Sequence, residues 1–487
     1  MSGAVGRRGR RCGLAVGLVG GVLTSVGAFV YGKMPKDGPV EWFGALRAVR
    51  DASDAQTRGM LLCFTGLVLL TIGWLLVGRA VRLRETGVAG VVRAAWLWSL
   101  PLLVAPPLFS RDAWSYAADA FLTGRGSSPY DVTPSVLHGP IVEGVSRGWM
   151  HTAAPYGPLP LMWGGLVAHV TSSPWILVLS YRLLAVAGLA MLLWAVPRLA
   201  VLAGVRPGVT TWLVASPFVL VAGVGGTHLD LVMAGLVAVG LAVTPSRGWL
   251  VGAALIGVAT AVKAPAAIAA LGVVLLTLRS GSLTARAVHA LRVAAVVVAV
   301  VAGIGLVGGL GLGWMDALHS TLSLRTPLSL PFQVRSMLGH HDMVHDRDLV
   351  NWIGVGVLLL GLVLLLALTP VRRDGSAVRA VAVAMLLATV LSPVTNYWYF
   401  FWCVPLLAAA PLSRWARGAV AGLVLGLGLA SPLDVGIGLP WMNGVVVGVV
   451  LGGVVLGALV GAAIGRPPAG VPEMSVDQVP LRPMSRG

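Results

Sequence analysis

Long apolar runs alternate with short polar breaks along almost the whole chain. Many approach the ~20 residues a helix needs to cross a hydrocarbon layer. Runs at 12–31, 58–78 and 94–109 come first. A polar stretch over 110–155, rich in Gly, Pro, Trp and Tyr, then interrupts them. The next run, 156–171, opens on Pro155-Tyr156-Gly157-Pro158-Leu159-Pro160. Its prolines and its length of only ~15 residues predict a re-entrant or interfacial helix rather than a crossing. Runs follow at 174–196, 209–225 and 231–244. The run 249–278 holds Lys263-Ala264-Pro265 at its centre and predicts two short helices meeting at a break. A second polar loop, 313–348, separates the run at 293–312 from those at 349–369, 379–394, 400–412, 418–431 and 442–464. The pattern predicts an all-α polytopic membrane protein with about 12–14 crossings. Residues 1–465 are expected to form a single membrane domain, and the Pro-rich polar tail 466–487 to be disordered.

Composition supports this reading. The chain is 57% hydrophobic and 11% charged, whereas soluble domains average about 25% charged residues. No room is left for a sizeable soluble domain. The net charge of +17 could suggest nucleic acid. However, the arginines are scattered between apolar runs, as topology signals and lipid-headgroup contacts are. The loop with Arg79, Arg82, Arg84 and Arg93 carries a single Glu85, which makes it cytoplasmic. Arg198, Arg206, Arg247, Arg279, Arg286, Arg292, Arg372, Arg373, Arg414 and Arg417 then fall on the same side. Both termini are expected to be cytoplasmic, and both large loops to lie outside the plasma membrane. The basic N-terminus before an apolar run reads as an uncleaved signal anchor. Cys12, Cys63 and Cys403 form neither a disulfide framework nor a metal spacing.

The unusual polar residues converge. Asp112, His228, Asp230, Lys263 and Asn396-Tyr397-Trp398-Tyr399 all sit at outer helix ends by this topology. A carboxylate at that depth is expensive unless it has work or a partner. Asp112 suits a general base that takes a proton from a hydroxyl, or a helix cap paired with Arg111. Arg111 could instead contact a phosphate. Asp119 lies on the same helix and is a weaker candidate for the base. Lys263 beside the helix-breaking Pro265 could meet a lipid phosphate or snorkel to the interface. His228 could be a phosphate or sugar contact, or a satisfied buried imidazole. Asp230 could be such a contact or a cap. Tyr397, Trp398, Tyr399 and Trp402 form an aromatic belt or a sugar-stacking wall. The same choice holds for Trp114, Tyr116, Tyr130, Trp149 and Tyr156 in the first loop. His340-His341-Asp342 with His345, Asp346 and Asp348 has metal-ligand types, but loop polarity is the simpler account. Arg325 and Arg335 in that loop are better suited to phosphate or acceptor. No GxxxxGK[ST], strand-borne GxGxxG or HExxH occurs, so nucleotide hydrolysis and zinc proteolysis have no support.

In order and spacing, several segments resemble one family. They are Ser110-Arg111-Asp112-Ala113-Trp114-Ser115-Tyr116-Ala117, Gly126-Ser127-Ser128-Pro129-Tyr130, Trp149, and Ala154-Pro155-Tyr156-Gly157-Pro158-Leu159. That family is the actinobacterial polyprenol-phosphomannose-dependent α-1,6-mannosyltransferases of the GT-C superfamily. Gly226-Thr227-His228-Leu229-Asp230, Val262-Lys263-Ala264-Pro265 and Leu391-Ser392-Pro393-Val394-Thr395-Asn396-Tyr397-Trp398-Tyr399 continue the likeness. The family has an Asn-Asp pair after the histidine, and here Leu229 precedes Asp230. The resemblance implies a GT-C bundle that moves mannose from polyprenyl-phosphate-mannose to the 6-OH of a mannan in lipomannan and lipoarabinomannan synthesis, with inversion. It implies Asp112 as base, with Lys263, Arg335 and His228 neutralising the leaving phosphate. Arg111, Tyr116, Tyr156, Asp230, Arg325, Tyr397, Trp398 and Tyr399 complete the expected substrate set. Neither metal nor cofactor is called for. Arabinofuranosyltransferases and protein O-mannosyltransferases share the logic. A lipid-linked-sugar flippase would carry its polar residues at the midplane and an inverted repeat, and the sequence shows neither.

Overall fold

The computed structural model describes residues 2–36, 38, 43–278, 281–320, 326, 328–337, 344–371, 373–434 and 440–463. Among them all regular structure is helical, as the apolar runs predict. Eight helices are long and apolar enough to cross a membrane: Arg11–Tyr31, Ala55–Arg82, Pro174–Leu202, Leu229–Arg247, Leu283–Val307, Leu349–Leu368, Asp374–Leu391 and Gly444–Ala463. Pro207–Val214 and Val219–Gly225, bent by 51° at their junction, make a ninth if taken as one span. Helices of that length thus number eight or nine among the described residues, with Pro158–Ala168, Trp249–Thr260, Ala264–Thr277 and Tyr397–Ala409 as shorter apolar helices, beside about 12–14 crossings expected from the runs. The tail 466–487 lies outside the described residues.

The shorter helices arise where the sequence breaks the backbone. The run 94–109 yields a helix only over Val88–Ser99, because Pro101, Pro106 and Pro107 supply no amide donors. Pro158–Ala168 is short, as its prolines predict, and 249–278 divides at Lys263 into Trp249–Thr260 and Ala264–Thr277. The last aromatic run is a tight Tyr397–Trp402 turn leading into Val404–Ala409.

Several helix pairs approach backbone to backbone. In Arg11–Tyr31 against Ala55–Arg82, a Cβ on Gly20 or Gly66 would collide with the partner's main chain. Gly422 and Gly453 play the same part between Arg414–Ala430 and Pro440–Ala463. Apolar helices in lipid gain little from hydrophobic exclusion, so close contact between small residues holds them together. Burial separates the inner helices from the outer ones. In Leu229–Arg247, 67% of the apolar window is buried, against 11% in Leu349–Leu368 and in Gly444–Ala463. The outer two are therefore left facing lipid, while Leu229–Arg247 stands in the core beside Pro174–Leu202.

The first polar loop folds over this core. Its main element is Asp112–Gly124, a helix buried along most of its length and packed on Pro158–Ala168 and Pro174–Leu202. The backbone amides of Gly157 and Leu159 donate to the carbonyls of Val262 (3.0 Å) and Ala261 (3.0 Å). The end of the loop thus satisfies backbone groups freed by the break at Lys263. Irregular backbone at membrane depth needs such internal partners.

Candidate active site

Backbone constraint builds the site first. Phe109 (φ 57°) and Thr227 (φ 62°) hold left-handed conformations, which bulky and β-branched residues rarely adopt. Phe109 comes just before Ser110-Arg111-Asp112, and Thr227 just before His228. Three contacts hold these strained turns side by side. The Leu108 amide donates to the Gly225 carbonyl at 3.1 Å. The Tyr397 hydroxyl donates to the Phe109 carbonyl at 2.9 Å. The buried Arg182 guanidinium donates to Thr227 Oγ1 at 3.0 Å, to Leu103 O at 2.8 Å, to Gly225 O at 3.2 Å and to Ala105 O.

Within this frame the side chains predicted from four distant segments meet. Asp112 Oδ2 lies 3.9 Å from His228 Nδ1. Asp112 Oδ1 accepts from Trp149 Nε1 at 2.8 Å. The His228 ring stacks on Trp398, with centroids 4.0 Å apart and planes within 15°. Asp230 Oδ1 accepts from Lys263 Nζ at 2.8 Å and from Trp402 Nε1 at 2.6 Å. The lysine ammonium is further enclosed by the rings of Tyr399 at 4.0 Å, Tyr156 at 5.5 Å and Trp402 at 5.5 Å. Tyr116 and Tyr156 join through their hydroxyls at 3.3 Å.

The structure decides several choices the sequence left open. Asp112 begins its helix and makes no capping bond, and Asp230 makes none at the start of Leu229–Arg247. Neither carboxylate is a cap. Lys263 does not snorkel; it is buried and paired. Arg111 does not pair with Asp112. Its guanidinium binds the carbonyls of Gly144 (2.8 Å), Val145 (2.6 Å) and Glu143 (3.5 Å), fastening the loop above the site. Arg335 stands on Leu330–Met337, which packs on Val344–Leu368. Arg325, His340, His341 and Asp342 lie outside the described residues, as do the side chains of His345, Asp346 and Asp348.

Several buried polar atoms have no protein hydrogen-bond partner: both ring nitrogens of His228, Asp230 Oδ2, Trp398 Nε1 and Ser115 Oγ. Each such group costs about 1–3 kcal/mol, and a fold tolerates several together where a ligand completes them. Asp112, on a helix outside the spanning segments, is pushed up to about 6 by burial, against the lowering effects of the Trp149 hydrogen bond and the Lys263 charge. A carboxylate so tuned is ionised at neutral pH yet basic enough to accept a proton. Asp230, neutralised by Lys263, is not free for that task.

Two matched stretches carry this site. Residues 14–279 match the N-terminal domain of the alpha-(1->6)-mannopyranosyltransferase family, and residues 333–461 match the MptB C-terminal domain. The chain is 32% identical to alpha-(1->6)-mannopyranosyltransferase A of Mycobacterium tuberculosis over 427 residues, covering 84% of this chain and 82% of that protein. It is 31% identical to alpha-(1->6)-mannopyranosyltransferase A of Corynebacterium glutamicum over 405 residues, covering 76% and 82%. The chain belongs to the alpha-(1->6)-mannopyranosyltransferase family. No solved structure matches it. In this family member the first matched stretch supplies Asp112, His228, Asp230 and Lys263, and the second supplies Tyr397, Trp398, Tyr399 and Trp402. Each stretch alone holds only part of the site.

Three contributors went unrecognised in the sequence. Trp149 and Trp402 read as members of aromatic clusters, with nothing to mark them as partners of Asp112 and Asp230. Arg182 went unnoticed although it carried a signal: an arginine inside the run 174–196 is costly without a dedicated task.

Proposed function

We propose that this protein is an inverting mannosyltransferase that moves mannose from polyprenyl-phosphate-mannose to the 6-OH of an α-1,6-mannan. The observation that supports it is the meeting of a buried, weakly basic carboxylate with a caged lysine–carboxylate pair between aromatic walls, in a chain of this family. Asp112 takes the proton of the acceptor 6-OH as that oxygen attacks the anomeric carbon. The bond from that carbon to the phosphate oxygen breaks, and the polyprenyl phosphate departs with the electron pair. Lys263, with Arg335 and His228 as further contacts, offsets the charge gained by the phosphate. The aromatic rings of Tyr116, Tyr156, Trp398 and Tyr399 face the sugars, and Arg111 keeps the loop closed over them. One displacement needs one base and inverts the configuration. The product would be backbone for lipomannan and lipoarabinomannan.

Under the same proposal the site opens on the extracytoplasmic face, where a lipid-linked donor presents its headgroup with its tail in the bilayer. The arginine-rich loops and both termini then lie in the cytoplasm.

Membranes containing the chain, given polyprenol-phosphate-[14C]mannose and a short α-1,6-mannoside, test this directly. Wild type should elongate the acceptor, and Asp112→Asn should lose about 10²–10⁴-fold in rate, the contribution of a positioned base. Transfer by the variant at the wild-type rate would remove Asp112 as base. Failure of wild type with the mannosyl lipid, alongside success with an arabinosyl lipid, would replace the donor.

A further inference from the structure

A narrow cavity lies against the catalytic cluster on the side of the first loop. Ser115, Tyr116 and Asp119 line it from the Asp112–Gly124 helix, and Trp149, Thr152 and Tyr156 from the loop. Trp149 connects it to the base, since the same ring walls the cavity and donates to Asp112. Ser115 is 5% exposed, and its hydroxyl has no protein hydrogen-bond partner. The Asp119 side chain is equally buried, two turns along the same helix face from Asp112.

We infer that this cavity is part of the acceptor-sugar subsite, in which Ser115 and Asp119 hold a hydroxyl at the edge of a neutral hexose unit. This rests on the proposed transfer of a sugar to a sugar hydroxyl, and specifies where the receiving sugar sits. The lining chemistry excludes the other half of the reaction. No Lys, Arg or His lines the cavity, so a phosphate there would have no cation at its walls. Asp119, on the same non-spanning helix, is pushed up to about 8 by burial. It is therefore protonated at neutral pH, and can both donate to and accept from a hydroxyl. The Lys263 ammonium instead stands over the Tyr156 ring at 5.5 Å, paired with Asp230. A single displacement needs the attacking hydroxyl and the departing phosphate on opposite faces of the anomeric carbon, with the base beside the hydroxyl. With room for about one water-sized group, the cavity receives a single hydroxyl at one edge of the sugar.

Steady-state transfer by the full chain in detergent, with donor lipid and α-1,6-mannobiose varied separately, tests the assignment. Ser115→Ala and Asp119→Ala should each raise the acceptor KM about tenfold, the loss of one hydrogen bond to a buried partner. The donor KM should stay unchanged. Asp119→Asn should restore most of the acceptor affinity, because an amide also donates and accepts. An unchanged acceptor KM in both alanine variants, or a donor KM rising in parallel, would overturn the subsite. Saturation-transfer NMR of mannobiose on the same preparations reads binding without turnover. Binding that is lost in the alanine variants, even if no preparation accepts the mannosyl lipid, would sustain the subsite and fault only the donor reading. Binding indifferent to both substitutions would overturn the subsite whatever the donor.

Discussion

Lys263 and Asp230 form the most consequential contact in the protein, and removing it one charge at a time separates their roles. The pair is 2.8 Å apart, with side chains 7% and 0% exposed. Breaking a buried pair by deleting one partner costs about 3–5 kcal/mol, because the survivor is left charged and desolvated. Lys263→Met leaves Asp230 accepting only from Trp402, so it should fall in that range. Asp230→Asn leaves the ammonium over Tyr399 at 4.0 Å. A desolvated cation–π contact contributes about 2 kcal/mol, so this loss should be smaller by a similar amount. The double variant Lys263→Met/Asp230→Asn removes both charges and should be more stable than Lys263→Met alone. Thermal unfolding of the detergent-solubilised chain, followed by tryptophan fluorescence, gives the three stabilities, and the transfer assay gives the three rates. A double variant no more stable than Lys263→Met would show that the pair is not energetically coupled, and the argument from burial would fail. A stable double variant that still transferred mannose at the wild-type rate would exclude Lys263 from the leaving phosphate.

Three further outcomes follow from the same geometry. Asp112 must be ionised to act as base, and its carboxyl sits at about 6; kcat/KM should therefore fall roughly tenfold per pH unit below that value, as an initial-rate profile from pH 4.5 to 8 would show. Trp149→Phe removes the hydrogen bond that holds the Asp112 carboxyl down, so the acid limb of that profile should move to higher pH while the plateau is largely kept. Arg182→Met deletes every hydrogen bond that ties Thr227 to the carbonyls of Leu103, Ala105 and Gly225; kcat should drop at least tenfold with the chain still inserted in membranes, whereas loss of expression alone would assign Arg182 to folding.

Hydrophobic patterning along the chain was enough to determine a helical membrane protein. The period of its breaks also located the short Pro158–Ala168 helix and the split at Lys263, because proline acts locally wherever it stands. The chemistry-bearing residues were legible for the same reason. A charge such as Asp112, Asp230 or Lys263 in apolar surroundings is too costly to be incidental. What each charge does was not legible. Arg111 is next to Asp112 in sequence yet binds carbonyls more than thirty residues away, at 143–145, and Lys263 finds Asp230 rather than water. Which apolar runs fold as one long helix was not legible, since apolar length alone does not register where Pro101, Pro106 and Pro107 stop a helix. Partnership depends on which helix ends the fold brings together. Only the packing of Leu229–Arg247 into the core, with the first loop laid over it, places Trp149 on Asp112, Trp402 on Asp230 and Trp398 on His228. The sequence determined that costly polar groups exist and lie at helix ends. The tertiary structure determined their pairing, because hydrogen bonds and ion pairs depend on distances that no local pattern encodes.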